Sequence, residues 1–128
     1  MKQNEITKTL MKNLDLQINN LLTNYSKAFN NIENKNYVYF LLDPMNNKIK
    51  IGIGNGSLHS DGTALNYRHR IKRLQHISAG TIRVLFITNQ IIESATHKKF
   101  KHLSQHGEFF TADKELLDYI EQLKIEYS

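Results

Sequence analysis

Two strand-forming stretches joined by a short turn constrain the fold of this chain more than any other feature. Residues 37–42 (YVYFLL) are all aromatic or aliphatic, and residues 48–53 (KIKIGI) place isoleucine at every second position. Such runs are typical of β-strands, and the residues between them (DPMNN) are turn-forming. Because a short turn joins antiparallel neighbours, we expect an antiparallel hairpin.

The alternation assigns the side chains of this hairpin to two opposite faces. The face expected to pack inward carries Val38, Phe40, Leu42, Ile49, Ile51 and Ile53. The other face carries Tyr37, Tyr39 and Lys50. We therefore expect a polar surface with hydroxyl groups and an amine, which is suited to form the floor of an active site.

A helical pattern precedes the hairpin. Apolar residues recur at steps of three and four from Ile6 to Ile32, which predicts one long amphipathic helix, with a possible break near Asn19 and Asn20. This stripe has to be covered either by the rest of the chain or by a second copy in a coiled-coil homodimer. We divide the chain into a helical extension, residues 1–34, and a main domain, residues 35–128.

The remaining elements are predicted from periodicity and turn signals. Residues 54–63 form a glycine- and serine-containing loop. The backbone N–H groups of residues 52–56 (GIGNG) could face a phosphate, although this segment matches no known phosphate-loop pattern and a plain turn is favoured. We expect a helix over 65–77, a strand over 82–88, a helix over 91–103 and a last helix over 113–123. Thr111 or Asp113 is the expected N-cap of the last helix.

Composition excludes several classes of protein. The chain has no cysteine, so disulfides and cysteine-type zinc sites are excluded. No apolar run approaches the roughly 20 residues of a membrane span. We expect a soluble protein without a membrane partner, compatible with a reducing cytoplasm.

The charge is concentrated in the middle of the chain. The net charge is +5, and residues 62–107 contain eight Lys or Arg and five His but only one acid, Glu93. A segment this basic is suited to a polyanion such as a phosphodiester backbone. A lone carboxylate within it is what a hard cation such as Mg²⁺ needs if it is to bind beside a phosphate.

Helical phase distinguishes the arginines of the 65–77 helix. Its inward stripe consists of Tyr67, Ile71, Leu74 and Ser78. At ~100° per residue, Arg70 lies at the edge of that stripe, where its guanidinium can be oriented, and Arg68, Lys72 and Arg73 point towards solvent. The alternative is an arginine whose stem only covers apolar surface.

The next helix places Glu93 beside its core stripe, with His97 one turn further along. A Glu–His pair at this spacing can bind a metal or form a hydrogen bond that stabilises the helix, and the spacing alone favours the structural pair. The second histidine of the zinc-protease pattern is missing. Hydrolysis through a serine nucleophile is not expected, because neither Ser57 nor Ser60 has an orienting acid in a recognisable order.

The order of these features resembles the GIY-YIG nuclease superfamily, in particular the phage and fungal branch whose second motif reads KIG. The GIY position is occupied by Tyr37-Val38-Tyr39 and the YIG position by Lys50-Ile51-Gly52. The arginine helix of the family corresponds to Arg70 to Gln75, and its glutamate helix to Glu93 to Phe100. The family's tail motif, which otherwise reads GEWF, corresponds to Gly107-Glu108-Phe109-Phe110. The match covers about residues 37–123. Lys50 replaces the second-motif tyrosine of other members.

The resemblance implies an α+β fold, a small three-stranded antiparallel sheet flanked by helices, to which the N-terminal helix is added. It implies an endonuclease that hydrolyses phosphodiester bonds in DNA with Mg²⁺ or Mn²⁺. Glu93 would hold the metal, Arg70 would bind the phosphate, and Tyr39 would orient or deprotonate the attacking water. Lys50 would lower the pKa of Tyr39 or contact the phosphate, and Tyr37 and His97 would position the water or a metal ligand.

Two other functions stay open at the level of sequence. One is a DNA-binding or regulatory module on the same fold with little or no cleavage. The other is a partner-docking protein that works through the N-terminal helix.

Overall fold

The computed structural model describes residues 2–56, 66–78 and 80–128, with side chains from residue 5 onward. Most of the loop predicted over 54–63, from residue 57, therefore lies outside the described residues. The segment 52–56, predicted as a turn that could face a phosphate, is described, and residues 52–55 belong to a regular strand instead. The helices are α1 (Lys2–Asn24), α2 (Asn66–Ile77), α3 (Glu93–Lys99) and α4 (Lys114–Glu126), with short 3₁₀ turns at Ser26–Phe29 and Lys101–Leu103. The strands are β1 (Asn36–Asp43), β2 (Lys48–Asn55), β3 (Arg83–Thr88), β4 (Ser104–His106) and β5 (Phe109–Thr111).

The class is α+β, but the sheet has five strands, so the expectation of three was wrong. Their order is β3-β1-β2-β5-β4, and every neighbouring pair is antiparallel. The three expected strands form one side of the sheet. The two additional strands have three residues each, which is too short for an alternating pattern to be recognised in sequence.

The central hairpin confirms the predicted pairing of faces. Tyr39 lies opposite Gly52 and Leu41 opposite Lys50, so these four residues share one face. That face is not the open polar floor that was expected. Tyr39 and Leu41 are each only 1% exposed, because α2 packs over them with Tyr67 and further apolar residues. A helix that covers this face leaves a site only at its margin.

The second face of the sheet is covered by α3 and α4. The ring of Tyr119 contacts those of Phe40 and Phe100 at centroid distances of 6.3 and 5.0 Å. Asp113 caps α4 as predicted, because its carboxylate accepts a hydrogen bond from the backbone N–H of Glu115 at 3.0 Å. The helix predicted over 91–103 is shorter, since α3 ends at Lys99 and a 3₁₀ turn follows.

The N-terminal helix divides into two halves with different surroundings. α1 is continuous through Asn19, without the possible break. Leu14, Ile18 and Leu21 are buried in the same core as the sheet, whereas Ile6 is 59% exposed. The second half thus packs within the chain, and a homodimer through the first half stays a prediction. No helix in the described part of the chain combines the length and apolar character needed to cross a membrane.

Candidate active site

A cleft of about 460 Å³ opens where α2 crosses the margin of the central hairpin. It is lined by Tyr39, Lys50, Asn66, His69, Arg70, Arg73, Leu74 and Ile77. Three residues that the sequence singled out, Tyr39, Lys50 and Arg70, are therefore brought together, although they come from three different elements.

Gly52 allows Tyr39 to reach this cleft. The phenol end of Tyr39 lies over Gly52 on the neighbouring strand, where an added Cβ atom would come within 2.4 Å of the ring. Only a residue without a side chain permits this approach. The glycine of the KIG sequence thus sets the direction in which the Tyr39 hydroxyl points.

Tyr39 is a neutral phenol in this environment. Burial, with smaller contributions from Glu108 and Glu93, raises its pKa to about 12, and the Arg70 guanidinium, which hydrogen-bonds to the phenol, partly offsets them. A cationic neighbour thus lowers this pKa as considered from the sequence, but the net shift is upward because desolvation and two acids outweigh one arginine. Tyr39 can donate or accept hydrogen bonds near neutral pH, but it is a poor general base.

Arg70 is held in the cleft by its own helix. Its Nε–H donates to Oδ1 of Asn66, one turn earlier, at 3.0 Å, and the guanidinium also contacts Tyr39. The residue is nevertheless exposed, so part of its hydrogen-bonding capacity faces the open cleft. An oriented guanidinium of this kind suits bidentate binding of a phosphate.

The other basic residues of α2 follow the helical-phase expectation only in part. Arg73 is exposed, as expected, and it also lines the same cleft as Arg70. Lys72 and Arg68 were also expected in solvent, yet both face α1, where Asp15 Oδ1 lies 2.9 Å from Lys72 Nζ and 3.7 Å from Arg68 Nη1. The phase of α2 was read correctly, but the position of α1 beside it was not foreseen.

Glu93 begins α3 and carries a buried oxygen without a partner. The Oε2 atom is inaccessible to solvent and accepts no hydrogen bond, and His97 Nε2 lies 3.9 Å from it. Burial raises the pKa of Glu93, the neighbouring Glu108 raises it further, and His97 and Arg70 partly offset these effects. An orphaned, buried carboxylate oxygen costs stability unless something else binds it.

Glu108 is the residue of this site that sequence reasoning missed. The sequence analysis treated Glu93 as the lone acid of a basic region, but the structure brings Glu108 against it, close enough for a contact between the two carboxyl groups. Lys50 Nζ lies 3.6 Å from Glu108 Oε2. A signal was present in the Gly107-Glu108 tail motif, since Gly107 adopts a left-handed conformation (φ 58°) that turns the chain immediately before this side chain.

The two secondary candidates have other surroundings. Tyr37 stacks on Tyr67 with a centroid distance of 4.8 Å and contacts Phe29, and it is not among the described residues that line the cleft. His97 donates its Nε2–H to the carbonyl oxygen of Ile51 at 2.7 Å. A ring nitrogen that donates to a carbonyl cannot bind a metal, so the contact makes His97 a link between α3 and β2.

The residues present fit a divalent cation of the kind that the resemblance implies. Glu93 offers a buried oxygen that accepts no hydrogen bond, and Glu108 brings a second carboxylate beside it. The two acids adjoin Arg70 but are not among the described residues that line the cleft. Within the described ranges no three acidic or histidine side chains converge as a complete metal cage. Mg²⁺ commonly binds through one or two carboxylates, with water and phosphate oxygens as its other ligands.

Comparisons with protein-family models, with curated proteins and with solved structures gave no match for this chain. The resemblance to GIY-YIG nucleases accordingly stays a prediction from the motifs, and the functional argument depends on the geometry of the cleft.

Proposed function

We propose that this protein is a metal-dependent endonuclease that hydrolyses phosphodiester bonds in DNA with Mg²⁺ or Mn²⁺. The observation that carries the proposal is the meeting of opposite charges at the edge of one cleft. Arg70, which lines the cleft, acts on the neighbouring Glu93, whose Oε2 atom is buried and accepts no hydrogen bond, and Lys50 pairs with Glu108 beside it. Cations alone would suit phosphate binding only, whereas an available carboxylate beside them suits a metal-assisted reaction. The motif order and the absence of cysteine agree with a cytoplasmic GIY-YIG-type enzyme.

The cationic residues would bind the scissile phosphate. Arg70 is oriented by Asn66 and retains an exposed surface, so it can donate two hydrogen bonds to phosphate oxygens and offset the charge that grows in the transition state. Lys50 and Arg73 add positive charge along the same cleft. A cation bound at Glu93 would polarise the phosphate and stabilise the leaving oxygen.

Tyr39 would orient groups in the cleft rather than remove a proton. With a pKa of about 12, its hydroxyl stays protonated near neutral pH. It can donate a hydrogen bond to a phosphate oxygen or hold the attacking water, and these roles are worth less than a charged contact. Of the two roles considered for Tyr39 from the sequence, orientation is the one proposed here.

Replacement of Glu93 by glutamine tests the proposal, because it preserves shape and removes the charge. We expect purified wild-type protein to cut plasmid DNA with Mg²⁺ or Mn²⁺ and not in EDTA, and Glu93→Gln to lower the rate by about 10²-fold or more, as for other transition-state-stabilising groups. Glu115→Gln is the matched control, since Glu115 pairs with His102 on the surface. Equal cleavage by wild type and Glu93→Gln would refute the metal role.

A DNA-binding module without cleavage is the second candidate. It is favoured by the raised pKa of Tyr39, because the cleft then lacks an evident tyrosine base. Gel-shift measurements in EDTA, beside cleavage assays with metal, distinguish the two functions. Salt-sensitive binding without any product at any metal concentration would support the binding module.

A further inference from the structure

The backbone of a single residue, Ile51, is linked to both acids. It bonds to Glu108 directly and to His97, the neighbour of Glu93. The Ile51 N–H donates to the backbone oxygen of Glu108 at 3.0 Å. Its carbonyl oxygen accepts the hydrogen bond of His97, whose ring lies 3.9 Å from the Glu93 carboxylate. In an antiparallel strand the N–H and C=O of one residue point to the same side. One edge of β2, just beyond the end of β5, therefore anchors both acids.

The carboxylates at this edge are incompletely paired. The oxygen Oε2 of Glu93 is buried and accepts no hydrogen bond, and the carboxyl of Glu108 adjoins it. Lys50 Nζ lies 3.6 Å from Glu108 Oε2, and the side chain of Glu108 is 41% exposed. Arg70 and His97 act on Glu93, but they do not outweigh its burial and the repulsion from Glu108, since the pKa of Glu93 is raised.

We propose that Glu108 is a second ligand of the divalent cation, acting together with Glu93. The inference rests on the proposed function only for the identity of the cation. It assigns Glu108 a direct contact with the metal, in addition to the single acid that the motif pattern implies. Lys50 is then the group that balances the charge of Glu108 when no cation is bound.

The chemistry of hard cations supports a pair rather than a single ligand. A divalent cation neutralises two carboxylates, which removes the repulsion between them and supplies a partner for the buried oxygen of Glu93. The Ile51 N–H holds the backbone of Glu108 and the His97 ring links α3 to β2, so the segments that carry the two acids are positioned before a cation binds. The site would keep open positions for water and phosphate oxygens.

Direct titration with Mn²⁺ tests this inference without any catalytic readout. Binding of Mn²⁺ to the full metal-free chain is measured by loss of the free-ion electron paramagnetic resonance signal. We expect Glu93→Gln and Glu108→Gln each to weaken binding about tenfold or more, whereas Glu115→Gln binds as wild type. Circular dichroism melting of each variant establishes that the protein is folded.

Lys50→Met separates a metal ligand from a residue that merely holds Lys50. If Glu108 binds the cation, removal of its competing lysine should tighten Mn²⁺ binding several-fold. If Glu108 serves only as the partner of Lys50, neither Glu108→Gln nor Lys50→Met will change the affinity, and that result overturns the inference. The absence of measurable Mn²⁺ binding by wild type up to several millimolar overturns it as well.

The same variants distinguish this inference from the proposed function. Mn²⁺ binding that depends on both glutamates, in a protein that never cuts DNA, would support the paired site and refute the nuclease. DNA cleavage that depends on Glu93, together with Mn²⁺ binding that is unchanged in Glu108→Gln, would support the nuclease and refute the paired site.

Discussion

The candidate site has a basic wall, formed by the two arginines that line the cleft, and an acidic wall, formed by Glu93 and Glu108 next to the cleft, and the two differ in how they are built. The basic wall comes from one helix, α2, whose residues Arg70 and Arg73 lie less than one turn apart in sequence. The acidic wall combines Glu93 at the start of α3 with Glu108 before β5. A wall on one helix can be read from periodicity, whereas a wall assembled from separate elements depends on the packing of the sheet.

The two walls also differ in how they affect the stability of the folded protein. Arg70 is exposed and hydrogen-bonded to Asn66, so its charge is well solvated and lowers the stability of the fold little. Glu93 is partly buried, has an Oε2 atom that is inaccessible to solvent and accepts no hydrogen bond, and lies beside a second acid. The acidic wall should therefore destabilise the metal-free protein, which is a frequent property of sites that await a ligand.

The largest expected effect lies on the basic wall. Arg70→Ala should lower the cleavage rate by about 10²–10³-fold, the usual loss on removing a transition-state contact. Of the two arginines, Arg70 is the one that hydrogen-bonds to Tyr39. Arg73→Ala should cost less than about tenfold, as for a contact that adds mainly non-specific phosphate attraction. Single-turnover cleavage of a labelled duplex measures both. Equal losses would show that the two arginines are equivalent and that the orientation of Arg70 has no catalytic value.

The second prediction concerns the close contact between the Tyr39 ring and Gly52, which lies between the two walls. Gly52→Ala should lower the free energy of unfolding by about 1–3 kcal/mol, the usual cost of overpacking, because the new Cβ would lie 2.4 Å from the Tyr39 ring. Urea denaturation measures this change. Gly107→Asn is the control, since nothing lies within 4 Å of a Cβ atom there and asparagine tolerates the positive φ. A smaller loss for Gly52→Ala than for Gly107→Asn would contradict the close approach.

Tyr39→Phe should have a moderate effect that spares the fold. The buried ring is retained and one hydroxyl is lost, so we expect roughly a tenfold decrease in cleavage, equivalent to one hydrogen bond of about 1.4 kcal/mol. Because the pKa of Tyr39 is raised to about 12, the pH–rate profiles of wild type and Tyr39→Phe should run parallel between neutral and mildly alkaline pH. A rise in the wild-type rate that disappears in Tyr39→Phe would instead show that Tyr39 acts as a base.

The smallest effect is expected on the acidic wall, where a substitution should raise the free energy of unfolding instead of lowering it. Without metal, Glu93→Gln should stabilise the protein by roughly 1 kcal/mol, the usual size of an environmental effect on an ionisable group, because it removes a partly buried negative charge that Glu108 repels. The pKa of Glu93 is raised above its usual 4.5 in the folded state, so the folded protein holds this proton more tightly than the unfolded chain. Wild-type stability should therefore fall as the pH rises from 4.5 through the folded pKa.

Thermal melting in EDTA across this pH range measures the difference. Glu93→Gln should melt at a higher temperature than wild type at neutral pH, and the two curves should converge below the usual pKa of a glutamate. A variant that is less stable than wild type at neutral pH would show that the ionised Glu93 carboxylate is well paired, and the contrast between the walls would then be wrong.

Much of the fold followed from local patterns. The hairpin, its pairing of faces, α2 and the cap of α4 by Asp113 were predicted, because periodicity and capping act over a few neighbouring residues. The strands β4 and β5 were missed because a three-residue strand carries no periodic signal, and its pairing is decided by the strand beside it. The burial of Tyr39 was missed because alternation identifies a face but not what covers it.

The sequence by itself determined the candidates Tyr39, Lys50, Arg70 and Glu93, through strand parity, helical phase and the unusual position of one acid in a basic region. Only the tertiary structure decided that Glu93 is not alone. Glu108 lies fifteen positions further along the chain and reaches Glu93 because β5 pairs with β2 and aligns it at Ile51. Long-range strand pairing depends on the whole sheet, so the local Gly107-Glu108 motif could mark this acid but could not show that it meets Glu93.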